Sequence, residues 1–152
     1  MLFRSAADVT DAVGLAETLG QITRRLGGPP DIVVNAAGVF EPQDFTATSV
    51  EAFDRALDAN LRGTFLVVRT LLPGMLQRGS GTIVSIGSIA GHRAFRGNAA
   101  YSASKFGLRG MHDVLCEEIK GTGVRATLVE PAATDTSIWD PVRASEIGRA
   151  HV

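Results

Sequence analysis

Tyr101 and Lys105 stand four residues apart in the stretch AAYSASKFG, residues 99–107. On a helix, residues i and i+4 share a face with Cβ atoms about 5–6 Å apart. An ammonium at that distance can act on a phenol, so the pair reads either as a proton-transfer couple or as two amphipathic side chains on a helix surface. Ser88 lies thirteen residues before the tyrosine, at the end of the run GTIVSIGS. A hydroxyl at a strand end can donate to an oxygen that gains negative charge, or it can cap a turn. Asn60 falls on the apolar stripe of a helical segment, where an amide is costly unless hydrogen-bonded. Read from its position, it is a buried amide that needs hydrogen-bond partners, in a kink-stabilising or other structural role.

Other chemistries find little support. GSIAG (87–91) is not the Gly-x-Ser-x-Gly turn of a serine hydrolase. Glu117 and Glu118 are adjacent, diverge around a helix and do not suit paired-carboxylate catalysis. Cys116 is the only cysteine. With no histidine counted at a useful spacing, it is read as packing rather than as a nucleophile, and a single cysteine makes a reducing cytoplasm the default. His92, Arg93 and Trp139 flank the expected substrate cleft and read as a solvated loop, with at most a role in shaping that cleft.

The 152 residues are 45% hydrophobic and 20% charged with a formal net charge of −1, the balance of one soluble globular domain. That charge favours neither nucleic acid nor an acidic membrane surface as partner. No apolar run reaches the roughly 18 residues that span a bilayer, and the N-terminus lacks the pattern of a secretory signal.

Strand and helix signals alternate. ADVTDA (7–12) reads as a frayed strand end with Asp or Thr as cap, followed by a helix over about 11–26 that GGPP stops. DIVVNAAG carries a β-branched run of the kind buried on both faces of a parallel sheet. A long helix is predicted over about 49–77, with Phe53, Ala56, Leu57, Leu61, Phe65, Val68 and Leu72 on one face and a break near Pro73. GTIVSIGS is the second strand, a helix covers about 99–120, and VRATLVEP is the third strand. The alternation predicts right-handed crossovers and a sheet covered on both faces. Ligands bind such sheets outside the carboxyl ends of the strands, which directs attention to 35–38, 85–91 and 131–136.

In this order, DVTD, NAAG (35–38), DANLRGTF (58–65), Ser88, YSASK (101–105) and EPAATDT (130–136) make the sequence resemble the short-chain dehydrogenase/reductase family, in its oxidoreductase branch. The resemblance implies an α/β fold, a Rossmann-like parallel sheet with helices on both faces. It also implies hydride transfer between NAD or NADP and an alcohol/ketone pair, such as a 3-oxoacyl thioester, a sugar or polyol, or a hydrophobic secondary alcohol. Tyr101 would be the general acid/base, Lys105 its electrostatic partner and ribose ligand, Ser88 the donor to the substrate carbonyl and Asn60 a relay to water. Cofactor contacts would come from Asp8, Val9, Asn35, Ala36, Ala37, Gly38, Tyr101, Lys105, Pro131, Ala132, Thr134 and Thr136; no metal is implied. Ser85 and Ser102 do not match the family spacing. Ala36 replaces the usual second asparagine, Ala132 the usual glycine after proline, and Asp8 equally suits a helix cap.

A free phenol titrates near pH 10. One positive charge at about 4 Å, at an effective dielectric of about 20, is worth roughly 4 kcal/mol, or about three pKa units. Lys105 with an oxidised nicotinamide ring would therefore bring Tyr101 toward neutrality, where a proton shuttle works best. Two other classes compete: the nucleotide-sugar epimerases and dehydratases that share Tyr-x-x-x-Lys, and a non-catalytic dinucleotide-binding protein. NAAG speaks against the first, and the joint presence of Asn60, Ser88, Tyr101 and Lys105 against the second.

No glycine-rich turn for a pyrophosphate precedes NAAG. The expected fold is therefore incomplete, a single partial dinucleotide-binding domain lacking its N-terminal glycine-rich unit and C-terminal strand. The strand at 31–36 is expected to expose an edge, and the chain by itself to be inactive. MLFRS and EIGRAHV fit no periodic element and resemble translated sequencing-adapter DNA, which places the natural segment at about 6–145 and makes 1–5 and 146–152 adapter-derived. The full-length parent is expected to be a cytoplasmic homodimer or homotetramer, built through the two long helices.

Overall fold

The computed structural model describes residues 4–132. Its elements are α1 (Ala12–Leu26), β1 (Ile32–Asn35), α2 (Val50–Leu57), a π-helical turn (Asp58–Arg62), α3 (Gly63–Arg78), β2 (Gly81–Ile86), a 3₁₀ turn (Ile89–Gly91), α4 (Ala99–Glu118) and β3 (Val124–Val129). The three strands form a parallel sheet in the order β1-β2-β3. Asn35 pairs with Ser85, and Ile86 with Val129, so the strands end close together.

Local chemistry sets the boundaries. Asp11 caps α1 by accepting the Val13 N–H at 3.1 Å, and Gly27 closes it in the left-handed conformation at φ 74°, a region that costs glycine nothing. Ser49 caps α2 by accepting the Ala52 N–H at 3.1 Å. Gly123, at φ 79°, lets the chain cross the end of α3 so closely that a Cβ there would stand 2.1 Å from the Gly79 carbonyl oxygen.

Met75, Ile83, Leu115, Ile119 and Val124 form one core cluster, with Val33 and Ala126 packed on it. Leu15, Leu19 and Leu71 form a second that also reaches Val33. Burying a side chain the size of Ile83 or Met75 contributes about 2–3 kcal/mol, so these clusters bind α1, α3 and α4 to the sheet.

The fold differs from the sequence expectation in four respects. Among the described residues the helices lie on one face of the sheet rather than both: Val33, Ile83, Val124 and Ala126 face them, whereas Ile32 and Val34 are 64% and 58% exposed. Strand order explains this, because two successive right-handed crossovers moving in one direction across a sheet place both helices on the same side. The helix predicted over 49–77 is interrupted at the π turn, not at Pro73, which sits inside α3. The extra residue rotates the stripe, so that Phe65 is 48% exposed while Thr64, Leu71 and Met75 are buried. Residues 4–10 contain no strand: Asp8 closes a turn with Thr10, and Asp11 is the cap. No described helix is long and apolar enough to cross a membrane.

Candidate active site

The first turns of α4 reach the end of β2 and the loop after β1. Tyr101 is half-buried, its ring edge-on to Phe40 with centroids 4.8 Å apart. One turn later, Lys105 is buried at 6% exposure. Its Nζ donates to the Ile86 carbonyl at 2.8 Å and lies 5.5 Å from the Tyr101 ring centroid. Ser88 begins the 3₁₀ turn, where its Oγ accepts the Ala90 N–H at 3.1 Å; its side chain also hydrogen-bonds Tyr101. The serine thus both caps a turn and meets the phenol.

Burial pushes the Tyr101 phenol above its ordinary value, and the Ser88 hydrogen bond opposes that rise. The shift toward neutrality expected from Lys105 together with an oxidised nicotinamide ring is not present in the chain alone, where burial is the larger effect on the phenol. The same burial lowers Lys105 to about 8, since a low-dielectric setting disfavours the charged form.

Asn60 is 1% exposed. Its Oδ1 accepts the Val39 N–H at 2.7 Å, and its Nδ2 donates to the Val39 carbonyl and to Ser104 Oγ, both at 3.0 Å. The π turn aims this amide at the loop after β1 and at α4, and its side-chain bonds run there rather than to Lys105. Gly38 is needed for the same contact, because a Cβ there would sit 2.8 Å from Asn60 Oδ1.

Asn35 donates to Ser85 Oγ at 3.3 Å, a bond between neighbouring strand ends. Ala36 and Ala37, with Gly38, are exposed just beyond β1. Asp8 accepts both the backbone N–H and the hydroxyl of Thr10 at 2.8 Å, and Val9 packs over Gly63. Pro131 accepts the Ile89 N–H at 3.1 Å, tying the turn after Ser88 to the residues after β3, and Ala132 follows it. Thr134, Thr136 and Trp139 lie outside the described residues.

Three features escaped the sequence reading. Ser104, inside YSASK, is fully buried and donates to the Tyr101 carbonyl at 2.7 Å; its i+3 spacing from Tyr101 was the available signal. Glu130 takes His92 Nε2 at 2.5 Å and Arg109 at 3.2 Å on one carboxylate oxygen, so His92 is anchored rather than a free loop residue. Cys116 does have a histidine at a useful spacing: His112, four residues earlier on α4, lies with Nε2 3.4 Å from the sulfur.

A sequence profile described as short chain dehydrogenase matches residues 2–147. An uncharacterized oxidoreductase of Staphylococcus saprophyticus is 36% identical over 134 residues, which cover 88% of this chain and 57% of that protein. The acetoacetyl-CoA reductase of Allochromatium vinosum is 34% identical over 145 residues, covering 93% of this chain and 58% of that one. The crystal structure of a short-chain dehydrogenase from Streptomyces avermitilis superimposes with a TM-score of 0.84 at 32% identity, over 88% of this chain and 49% of that chain. The chain thus spans a little over half the length of these two curated relatives.

Proposed function

The chain belongs to the short-chain dehydrogenase family, and from that premise we propose that Tyr101, Lys105 and Ser88 are the proton-handling end of an NAD(P)-dependent oxidoreductase acting on an alcohol/ketone pair. The observation that carries this reading is the convergence of a phenol, a buried ammonium and a hydroxyl at the carboxyl ends of two parallel strands, the end at which ligands bind such sheets.

In reduction, the substrate carbonyl oxygen takes the Tyr101 proton while Ser88 donates a hydrogen bond to the same oxygen. The phenolate left behind is stabilised by the Lys105 ammonium. In oxidation, that phenolate takes the alcohol proton. The nicotinamide, when bound, supplies or accepts the hydride. With its proton leaving near pH 8, Lys105 remains charged at neutrality. It commits one N–H to Ile86 and has others to offer the hydroxyls of a ribose, so the donor set fits the nicotinamide end of a dinucleotide. Ala36–Gly38 offer exposed backbone for the adenine side, and Asp8, Val9, Pro131, Ala132, Thr134 and Thr136 are the further proposed contacts. Asn60 acts through the loop it braces.

Among the described residues no glycine-rich turn precedes β1 to hold a pyrophosphate. The 152-residue chain by itself is accordingly proposed to bind dinucleotide weakly and to turn over little. A secondary alcohol or 3-oxoacyl thioester is the proposed substrate class, the latter by analogy with the acetoacetyl-CoA reductase.

The test extends the coding sequence to the length of the relatives and assays NADH and NADPH oxidation against acetoacetyl thioesters, small ketones and sugars. Turnover that Tyr101→Phe abolishes is expected. Full turnover by that variant, or none with any carbonyl substrate, overturns the reading.

A further inference from the structure

Ser104 lies three residues after Tyr101 with its side chain fully buried. Serine forms helix less readily than alanine, and a buried hydroxyl without partners is costly. Its presence in the middle of α4 therefore raises the question of where its lone pair and its proton go.

The bonds answer it without ambiguity. The Val39 N–H can only donate, so the Asn60 oxygen must face it and the Asn60 nitrogen must face the Val39 carbonyl and Ser104. Ser104 Oγ therefore accepts from Asn60, and its proton is left for the Tyr101 carbonyl. The result is a directional chain from Val39 through Asn60 and Ser104 to the Tyr101 backbone. Phe40, the residue after Val39, packs edge-on against the Tyr101 ring. The loop after β1 thus holds Tyr101 twice, at the ring through Phe40 and at the backbone through Ser104.

We propose that Ser104 is a positioning residue that transmits the placement of the Asn60 amide to Tyr101 and so fixes where the phenol stands relative to Ser88 and Lys105. The significance of that position rests on the dehydrogenase reading. The bond network itself can be tested without cofactor or turnover, so failure of one is distinguishable from failure of the other.

Tyr101 is the only tyrosine in the chain, so tyrosinate absorbance at about 295 nm follows this one residue. Ser104→Ala is expected to keep its circular dichroism while moving the Tyr101 ionisation midpoint by about half a pH unit or more toward the ordinary phenol value, as a loosened ring gains water. Ser102→Ala, which removes a hydroxyl one residue from Tyr101 that has no hydrogen-bond partner, is expected to leave the midpoint in place. Equal midpoints for the parent chain and Ser104→Ala overturn the proposal. A second measurement covers a variant that does not fold: in the unmodified protein, the Asn60 side-chain N–H groups and the Ser104 hydroxyl proton are expected to exchange slowly by NMR. Rapid exchange of all of them overturns the proposal equally.

Discussion

The Lys105 ammonium stands 5.5 Å from the centre of the Tyr101 ring, and its hydrogen bond goes to the Ile86 carbonyl. The lysine is thus placed by β2 while the tyrosine is placed by the loop after β1, and α4 carries both. The two strands that lead to these anchors run in register, with Asn35 paired to Ser85 and Asn35 Nδ2 bonded to Ser85 Oγ.

Ser88 is the one group that lowers the Tyr101 phenol against the rise imposed by burial. Removing its hydroxyl in Ser88→Ala should therefore raise the ionisation midpoint of Tyr101 further. Absorbance titration of this sole tyrosine measures it. A midpoint that falls or stays constant would show that the Ser88 hydroxyl does not reach the phenol in solution.

Lys105 gives stability a defined dependence on pH. Its proton leaves at about 8 in the folded chain, against 10.5 ordinarily, so between those values the unfolded chain binds more protons and stability rises with pH. The difference corresponds to about 3 kcal/mol at most. Tyr101 acts in the opposite sense: its raised value gives stability below about pH 10 that is lost as pH climbs through the folded midpoint. Urea unfolding between pH 7 and about 10 should show the rise in the parent chain and a flatter profile in Lys105→Met.

Much of this arrangement is legible in the residue order, for physical reasons. β-branched runs mark the strands, although the run in β1 is buried on one face only, and Gly27 and Asp11 bound α1 through local capping that needs no tertiary context. The π turn leaves no such trace, since an inserted residue changes the phase of a stripe without changing its composition. That is why the apolar spacing points Phe65 inward and leaves Thr64 out, the reverse of their burial. Glu130 is equally silent: its partners His92 and Arg109 lie 38 and 21 residues away, a pairing that only the packing of the turn after Ser88 against α4 creates. One-sided coverage follows from strand order, which alternation alone leaves open.

Glu130 is expected to hold the turn after Ser88 to α4. One carboxylate oxygen takes both His92 Nε2 and Arg109 Nη1, and the other is buried without a partner. Glu130→Ala should cost about 1–2 kcal/mol, between the values for an exposed and a buried pair, because His92 and Arg109 are partly exposed. Arg109→Ala combined with it should cost less than the sum of the two single changes. Urea midpoints for the three variants decide it, and strict additivity would mean that the pair does not interact.

Two glycines should respond in opposite directions to the same substitution. At Gly110, inside α4, a Cβ meets nothing within 4 Å, so Gly110→Ala should stabilise the chain by about 1 kcal/mol through helix propensity alone. At Gly38 the added methyl would stand 2.8 Å from Asn60 Oδ1, and that oxygen cannot retreat without releasing the Val39 N–H at 2.7 Å. Gly38→Ala should therefore cost about 1–3 kcal/mol, the range for a buried hydrogen bond broken by crowding. It should also free the Asn60 amide to exchange with solvent. Thermal unfolding gives the first effect and NMR the second. A Gly38→Ala chain as stable as its parent would mean that the loop after β1 yields, and that the Asn60 amide does not depend on a close backbone approach at Gly38.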